Sequence, residues 1–343
     1  MISSFLLAAC LLAPQSVLAG SDYLARPDVR AFIDSMSEEH GIDSADLERI
    51  LGDVRYTPEA VRLIGPVPSS APSPARSYER YRARFLTPEL ISAGSRFWSE
   101  HAEALERAES EFGVPSDVII GILGVETAFG RNTGAFRVID ALATIAFDGE
   151  RRQDYFRDEL KELLLLARDS GIDPLVIKGS YAGAVGLPQF MPSSYRRYAV
   201  DFDGDGAIDL LGSPADAIGS IASYIKAFGW IVGEAPIAPV RLASGSEADF
   251  VSGLERVHEV SDAQNKGVVF SGRDPPAGMC SIFELPTPGK PSKFVAGFTN
   301  FEVVTRYNRS TFYASAVLEL GDAILKARGR VQLASAQAAL RRN

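Results

Sequence analysis

Val118-Ile-Ile-Gly-Ile-Leu-Gly-Val-Glu126-Thr-Ala-Phe-Gly130 is the most apolar helical run after the first 20 residues of the sequence. It predicts a helix in which Glu126 is the only charged residue. A carboxyl group in apolar surroundings is desolvated, which raises its pKa and suits a general acid that must carry its proton near neutral pH. The simpler alternative is a glutamate at the end of a helix whose side chain points into solvent.

The sequence around this run predicts a helical unit. Residues 115–230 alternate apolar helical runs with Gly-rich turns and contain no convincing strand periodicity. Residues 87–112 have helical spacing as well, and the two regions are separated by a break at Gly113-Val114-Pro115.

The composition changes after Trp230. Proline residues separate short apolar runs there, such as residues 267–270 and 293–298, and this pattern predicts a small β-rich part. A last amphipathic helix is expected from about Ser310 to about Arg328, followed by a frayed tail.

The N-terminus has the features of an export signal. Residues 2–13 are mostly apolar, and Val17-Leu18-Ala19 is the small-residue pattern that precedes signal cleavage, here after Ala19. Leu7-Ala8-Ala9-Cys10 also resembles a lipoprotein signal, which would attach Cys10 to the outer membrane. Either interpretation sends the protein out of the cytoplasm, to the periplasm. If Cys10 leaves with the signal, Cys280 is the only thiol and no internal disulfide is possible.

Composition and charge exclude some classes of function. The 343 residues are 46% hydrophobic and carry a formal net charge of -9, so a large core is expected and nothing draws the whole chain to nucleic acid. The three histidines are scattered along the chain and cannot form a zinc site with the two cysteines.

A second candidate segment is rich in glycine and alanine and runs from Gly179 to Tyr195. Small residues let the backbone approach a ligand closely, while Ser180 and Gln189 offer hydrogen bonds and Tyr181 offers a flat face. This mixture suits a sugar. The alternative is a Gly-rich connection between two helices.

A third segment, Asp201-Phe-Asp-Gly-Asp-Gly-Ala-Ile-Asp209, fits the first part of an EF-hand calcium loop. The standard loop would place Glu at its twelfth position, where this chain has Gly212, but Asp216 could close an elongated loop. A solvated acidic turn is the alternative. A calcium ion here would be structural, holding the loop and the helix after it in place.

Together, residues 124–130 (Gly-Val-Glu-Thr-Ala-Phe-Gly) and 182–194 (Ala-Gly-Ala-Val-Gly-Leu-Pro-Gln-Phe-Met-Pro-Ser-Ser) resemble the lytic murein transglycosylase B family, glycoside hydrolase family 103. The resemblance extends from about residue 81 to about residue 328. It implies a mainly α (α+β) fold with a lysozyme-like helical core, an additional helical domain and a small β-rich domain.

The expected units are a signal peptide (1–19), an N-terminal helical segment and Pro/Ser-rich linker (20–80), a helical domain (81–112 with 301–328), the catalytic core with its EF-hand-like loop (113–230), the β-rich domain (231–300) and a tail (329–343).

The resemblance also assigns residues. It implies that Glu126 is the sole catalytic acid/base and that no cofactor takes part in catalysis. The sugar-contacting residues that it implies are Arg151, Arg152, Tyr155, Ser180, Gln189, Tyr224, Tyr307, Asn308 and Tyr313. It implies a calcium site whose ligands are Asp201, Asp203, Asp205, the Ala207 carbonyl and Asp216.

The expected reaction is cleavage of the β-1,4 bond between N-acetylmuramic acid and N-acetylglucosamine in peptidoglycan. Ordinary glycosidases use two carboxylates, and no second one is obvious near Glu126. The resemblance implies that the muramic C6 hydroxyl attacks C1 instead of water, leaving a 1,6-anhydro end. Two alternatives stay open, namely a hydrolytic muramidase and a non-catalytic peptidoglycan-binding protein. We expect a monomer.

Overall fold

The computed structural model describes residues 23–65, 76–272 and 274–340, without the side chains of residues 331–340. The predicted signal peptide, its cleavage after Ala19 and the lipidation of Cys10 fall outside the described residues, as does most of the predicted Pro/Ser-rich linker. Among the described residues, no helix is both long enough and apolar enough to cross a membrane.

In these residues the chain forms fifteen α-helices and seven short β-strands. The helices are α1 (Pro27–His40), α2 (Ser44–Gly52), α3 (Pro58–Ile64), α4 (Tyr78–Arg82), α5 (Pro88–Glu100), α6 (Ala102–Phe112), α7 (Ser116–Thr127), α8 (Val138–Asp148), α9 (Gln153–Ser170), α10 (Pro192–Tyr198), α11 (Pro214–Ala227), α12 (Glu247–Phe250), α13 (Val260–Asn265), α14 (Thr299–Tyr307) and α15 (Thr311–Leu340). The strands are β1 (Phe136–Arg137), β2 (Lys178–Gly179), β3 (Ile237–Arg241), β4 (His258–Glu259), β5 (Val269–Phe270), β6 (Met279–Leu285) and β7 (Lys293–Gly297).

The predicted fold class, mainly helical with a small β-rich part, is confirmed. Five strands between α11 and α14 form an antiparallel sheet in the order β4-β6-β7-β3-β5. The expectation of a strand-free unit over residues 115–230 is wrong in one detail, because β1 and β2 pair there, with Phe136 opposite Gly179. Strands of two residues are too short to produce an alternating pattern that sequence could reveal.

The N-terminal helices pack directly on the helical core. The Tyr23 hydroxyl donates a hydrogen bond of 2.6 Å to the Asp148 carboxylate at the end of α8. Farther along, the Thr57 backbone N–H donates to the Thr144 hydroxyl at 3.0 Å, in the middle of α8. Tyr23 and the apolar side chains of α1 and α2 belong to the same buried cluster as α8. Residues 23–64 are therefore part of the main core.

Helices α7 and α15 approach each other closely, and glycines make the approach possible. A Cβ atom built on Gly121 would lie 2.3 Å from the Val317 carbonyl oxygen, and one built on Gly321 would lie 2.1 Å from the Asp117 carbonyl oxygen. Real Cβ atoms do not approach a backbone oxygen so closely, so both positions require glycine. The last α-helix is thereby held against the helix that carries Glu126.

Helix α15 continues beyond its predicted end at Arg328 and reaches Leu340. The predicted end of the last helix near Arg328 is therefore wrong. Residues 330–340 are mostly Ala, Leu, Gln, Arg and Val, and contain neither proline nor glycine. Nothing in their composition ends a helix.

We expect Gly321→Ala to lower the free energy of unfolding by about 1–3 kcal/mol, because the new methyl group would push α15 away from α7. Gly329→Ala is the matched control, since it lies on the same helix and its Cβ would meet no atom within 4 Å. There, alanine should stabilise the helix by about 0.5–1 kcal/mol. Urea denaturation followed by circular dichroism measures both effects, and equal stability of the two variants would contradict the packing argument.

Candidate active site

Glu126 is the penultimate residue of α7 and is half-buried. Burial raises the pKa of its carboxyl group to about 7, although a hydrogen bond from Tyr313 acts in the opposite direction. The Tyr313 hydroxyl donates this bond to Glu126 Oε1 at 2.5 Å. The partial negative charge at the C-terminal end of α7 also favours the protonated carboxyl group.

The backbone turns sharply after Glu126. Ala128, Phe129 and Gly130 have φ values of 50°, 62° and 82°, three consecutive left-handed conformations. Such values strain residues other than glycine, so the surrounding structure must hold them. The Phe129 ring packs against Phe97, with ring centroids 5.3 Å apart, and the Ala128 N–H still donates to the Gly124 carbonyl at 3.1 Å. The turn ends α7 immediately beyond the acid.

Thr127 joins this turn to the Gly-rich segment. Its hydroxyl donates a hydrogen bond to the Leu187 carbonyl at 2.9 Å and accepts one from the Gly130 N–H at 3.0 Å. Thr127 is buried, so a side chain without a hydroxyl would leave these backbone groups unpaired. The two family-like motifs of the sequence therefore meet in the folded chain.

Backbone groups take up part of the hydrogen-bonding capacity of the Gln189 and Ser180 side chains. Gln189 has a left-handed backbone (φ 51°), and its Nε2 donates to the carbonyls of Thr133 at 3.0 Å and Gly186 at 2.8 Å. The Ser180 hydroxyl oxygen accepts hydrogen bonds from two N–H groups of the following turn. Among the described contacts, the side-chain oxygen of Gln189 accepts no hydrogen bond and the hydroxyl group of Ser180 donates none. Both groups can therefore bind a ligand.

Three aromatic rings form a connected wall beside these residues. Tyr307 lies 5.8 Å from Phe190 and 5.0 Å from Tyr224 between ring centroids. The Tyr307 hydroxyl donates to the Pro188 carbonyl at 2.7 Å, and the Tyr224 hydroxyl donates to the Arg306 carbonyl at 2.8 Å. Only 7% of the Tyr224 surface is exposed, so Tyr224 can offer a ligand no more than a ring edge.

The remaining predicted sugar contacts lie at the surface. Arg151 and Arg152 are exposed, and the Arg152 guanidinium lies 4.0 Å from the centre of the Tyr155 ring. Burial raises the pKa of Tyr155 to about 12, so its hydroxyl keeps its proton. Asn308 is exposed at the end of α14. The roles of these residues in binding stay predictions.

Sequence reasoning missed two side chains near Glu126. Nothing in the sequence except its position in the motif indicated that Thr127 is important. Tyr81 lies on α4, and its pKa is raised by burial and by the negative charge of Glu126. It is 45 residues before Glu126 in the sequence, with no pattern that connects the two.

The acidic loop after α10 brings three carboxylates together. Oxygen atoms of Asp201, Asp203 and Asp205 lie within 4.8 Å of one another, and all three residues are exposed. Ala207 follows them in the same loop, where its N–H donates to Asp205 Oδ1 at 2.8 Å.

Asp216 lies outside the cluster of Asp201, Asp203 and Asp205, and its role as a calcium ligand stays a prediction. It is buried, with 1% of its surface exposed, and its two oxygens accept hydrogen bonds from backbone N–H groups. One oxygen binds the Phe202 N–H at 2.6 Å, and the other binds the Asp209 N–H at 2.7 Å. Asp216 therefore fastens both ends of the loop to α11.

A helical core with a desolvated glutamate at the end of a buried helix, facing a Gly-rich segment and tyrosines, defines a lysozyme-like glycan-cleaving enzyme. Residues 25–322 match the family model described as the transglycosylase SLT domain. The chain is 41% identical over 328 residues to membrane-bound lytic murein transglycosylase B of Escherichia coli, covering 93% of this chain and 89% of that protein.

Two solved structures have the same fold. Soluble lytic transglycosylase SltB1 from Pseudomonas aeruginosa is 43% identical, with a TM-score of 0.82 over 88% of this chain and 100% of that one. Escherichia coli lytic transglycosylase Slt35, solved in complex with calcium, is 40% identical, with a TM-score of 0.82 over 93% of this chain and 99% of that one. The chain belongs to the lytic murein transglycosylase family, and it is a peptidoglycan-cleaving lyase.

Proposed function

We propose that Glu126 is the single acid/base with which this lytic transglycosylase cleaves the β-1,4 bond between N-acetylmuramic acid and N-acetylglucosamine. The observation that carries the proposal is the half-buried carboxyl group whose pKa burial raises to about 7. The described side-chain hydrogen bond to Glu126 comes from Tyr313 and not from a second carboxyl group, whereas ordinary glycosidases place a second carboxylate across the scissile bond.

The reaction then proceeds in two proton transfers. Protonated Glu126 gives its proton to the bridging oxygen, and the bond from C1 of the muramic residue to that oxygen breaks. The resulting carboxylate accepts the proton of the C6 hydroxyl of the same muramic residue, whose oxygen bonds to C1. The products are a free N-acetylglucosamine hydroxyl and a 1,6-anhydro end. Glu126 regains its proton and no water is consumed.

Tyr313 has a defined part in this cycle. Its hydroxyl bonds one oxygen of Glu126, which leaves the other oxygen for the proton that is transferred. A donor hydrogen bond stabilises a carboxylate more than a protonated carboxyl group. Tyr313 therefore stabilises the carboxylate form of Glu126, and burial favours the protonated form.

The predicted sugar contacts fit a glycan strand that passes Glu126. Ser180 and Gln189 supply hydrogen bonds, Tyr155 and Tyr307 supply aromatic surface, and the buried Tyr224 and Tyr313 offer no more than a ring edge. Arg151, Arg152 and Asn308 are exposed and suit the lactyl group or its peptide. Peptidoglycan lies outside the cytoplasmic membrane, so we place the enzyme in the periplasm.

We expect Glu126→Gln to reduce the release of 1,6-anhydro muropeptides from purified sacculi by about 10²- to 10⁴-fold, because Gln cannot transfer a proton. Glu103→Gln, at an exposed position on α6, is the matched control and should retain wild-type release. Mass spectrometry of the soluble products measures the outcome. Reducing ends carrying added water from the wild type would refute the transglycosylase step, and release of anhydro products by Glu126→Gln at the wild-type rate would refute the role of Glu126.

We expect turnover to fall as pH rises through about 7, since Glu126 must begin the cycle protonated. Tyr313→Phe removes a hydrogen bond that favours the carboxylate, so the pKa of Glu126 should increase. The alkaline limb of the kcat/KM profile should then move upward by about one pH unit. Tyr78→Phe is the control, because that buried tyrosine donates to Glu319 instead, at 3.0 Å. An alkaline limb unmoved in Tyr313→Phe would show that this bond does not set the acid's pKa.

We further propose that the acidic loop binds a structural calcium ion through Asp201, Asp203, Asp205, the Ala207 carbonyl and Asp216. Three clustered carboxylates supply the hard oxygen donors that calcium prefers, and Gly206, with φ 93°, provides the sharp turn that such a loop requires. Slt35, which has been solved with calcium, supports this assignment. Bound calcium would offset the repulsion among these carboxylates and stabilise the loop, without taking part in catalysis.

Calcium at one hundred times its Kd should raise the free energy of unfolding of the metal-free protein by about 2–3 kcal/mol. Asp205→Asn should remove most of this effect, because the amide still accepts the Ala207 N–H but no longer carries charge. Asp249→Asn, at an exposed position on α12, should respond to calcium as the wild type does. Thermal denaturation with calcium or with a chelator tests this, and equal calcium responses of all three proteins would reject the site.

A further inference from the structure

A groove beside the aromatic wall contains arginines that the proposed mechanism does not use. It has a volume of about 520 Å³ and lies between residues 254–257, just before β4, and the end of α14. Its charged lining residues are Glu255, Arg256, Glu302, Arg306 and Arg309. Three arginines face two glutamates, so the groove has an excess of positive charge.

One carboxylate holds two of the three arginines in place. Glu302 Oε2 accepts a hydrogen bond from Arg256 Nε at 2.6 Å, and Glu302 Oε1 accepts one from Arg306 Nη2 at 2.7 Å. Arg309 is exposed and makes no side-chain hydrogen bond or ion pair with any described residue. Its guanidinium fork is therefore available for a ligand with a carboxylate.

The groove and the active site share helix α14, because the Arg306 side chain lines the groove while the Arg306 carbonyl oxygen accepts a hydrogen bond of 2.8 Å from the Tyr224 hydroxyl. Tyr307, next to Arg306, donates to the Pro188 carbonyl in the Gly-rich segment, and Tyr313 donates to Glu126. Arg309 lies between these two tyrosines in the sequence. An extended peptide spans about 3.3–3.6 Å per residue, so a stem of four or five residues covers roughly 15 Å. A stem attached to a sugar near Glu126 has the length to reach a neighbouring groove.

We propose that this groove binds the stem peptide of peptidoglycan, with Arg309 pairing with one of its free carboxylates. Arg256 and Arg306, fixed by Glu302, add positive charge, and the exposed side chain of Val257 offers apolar contact to the peptide. The inference rests on the proposed function, because the stem arrives only on a glycan strand that is placed at Glu126.

The test compares glycan strands that carry their stem peptides with the same strands after an amidase has removed them. The measured quantity is the ratio of kcat/KM on peptide-bearing strands to kcat/KM on peptide-free strands. Arg309→Ala should lower this ratio about five-fold, the effect expected for one exposed charge-assisted pair. Arg309→Lys, which keeps the charge without the planar fork, should fall between Arg309→Ala and the wild type.

Arg241→Ala is the matched control, because Arg241 is also exposed in the β-rich part and has no described side-chain partner. It should keep the wild-type ratio. An unchanged ratio in Arg309→Ala would overturn the proposal. If turnover yields no anhydro ends, the proposed function fails instead, and the Kd ratio for the two strand types on a Glu126→Gln background still decides whether Arg309 binds the stem.

Discussion

The close contact between α7 and α15 is the constraint on which the rest of the active site depends. Two helices separated by almost the whole catalytic core in sequence can touch backbone to backbone only because Gly121 and Gly321 have no side chains. This contact places the Tyr313 hydroxyl on Glu126. The acid strength of Glu126 therefore depends on the packing of α7 against α15 as well as on its own residue type.

Burial and hydrogen bonding act on Glu126 in opposite directions. Desolvation by the surrounding apolar side chains raises its pKa, and the Tyr313 hydroxyl lowers it, with a balance at about 7. A group with this pKa can both give and take a proton at neutral pH, as a single acid/base must. A carboxyl group buried without the tyrosine would give up its proton less readily, and an exposed one would have lost it before the cycle began.

The features that were predicted correctly from the sequence depend on residue patterns within short segments. The apolar helix with Glu126 and the acidic loop each lie within one short segment, so composition and spacing were sufficient to find them. Tyr81 and the contact of Thr127 with Leu187 come from distant parts of the chain and required the fold. Strand β6 lies within the predicted β-rich part, but its bounds required the fold because Cys280 to Phe283 are all buried, which removes the alternation that identifies a strand. The hydrogen bonds of Asp216 to the backbone N–H groups of Phe202 and Asp209 also required the fold, because spacing reveals a carboxylate but not its partners.

The acidic loop is linked to the active site through a short series of backbone contacts. Asp216 fastens the loop at Phe202 and Asp209, and the next residue, Leu210, accepts a hydrogen bond of 2.8 Å from the Leu187 N–H. The carbonyl of Leu187 in turn accepts the hydroxyl of Thr127, the neighbour of Glu126. Any displacement of Leu210 would therefore act on the residue beside the acid, since Gly186 leaves no space between the two segments. The buried Asp216 fixes both ends of the loop through these hydrogen bonds, and a cation bound among the exposed carboxylates would add stability to the same arrangement.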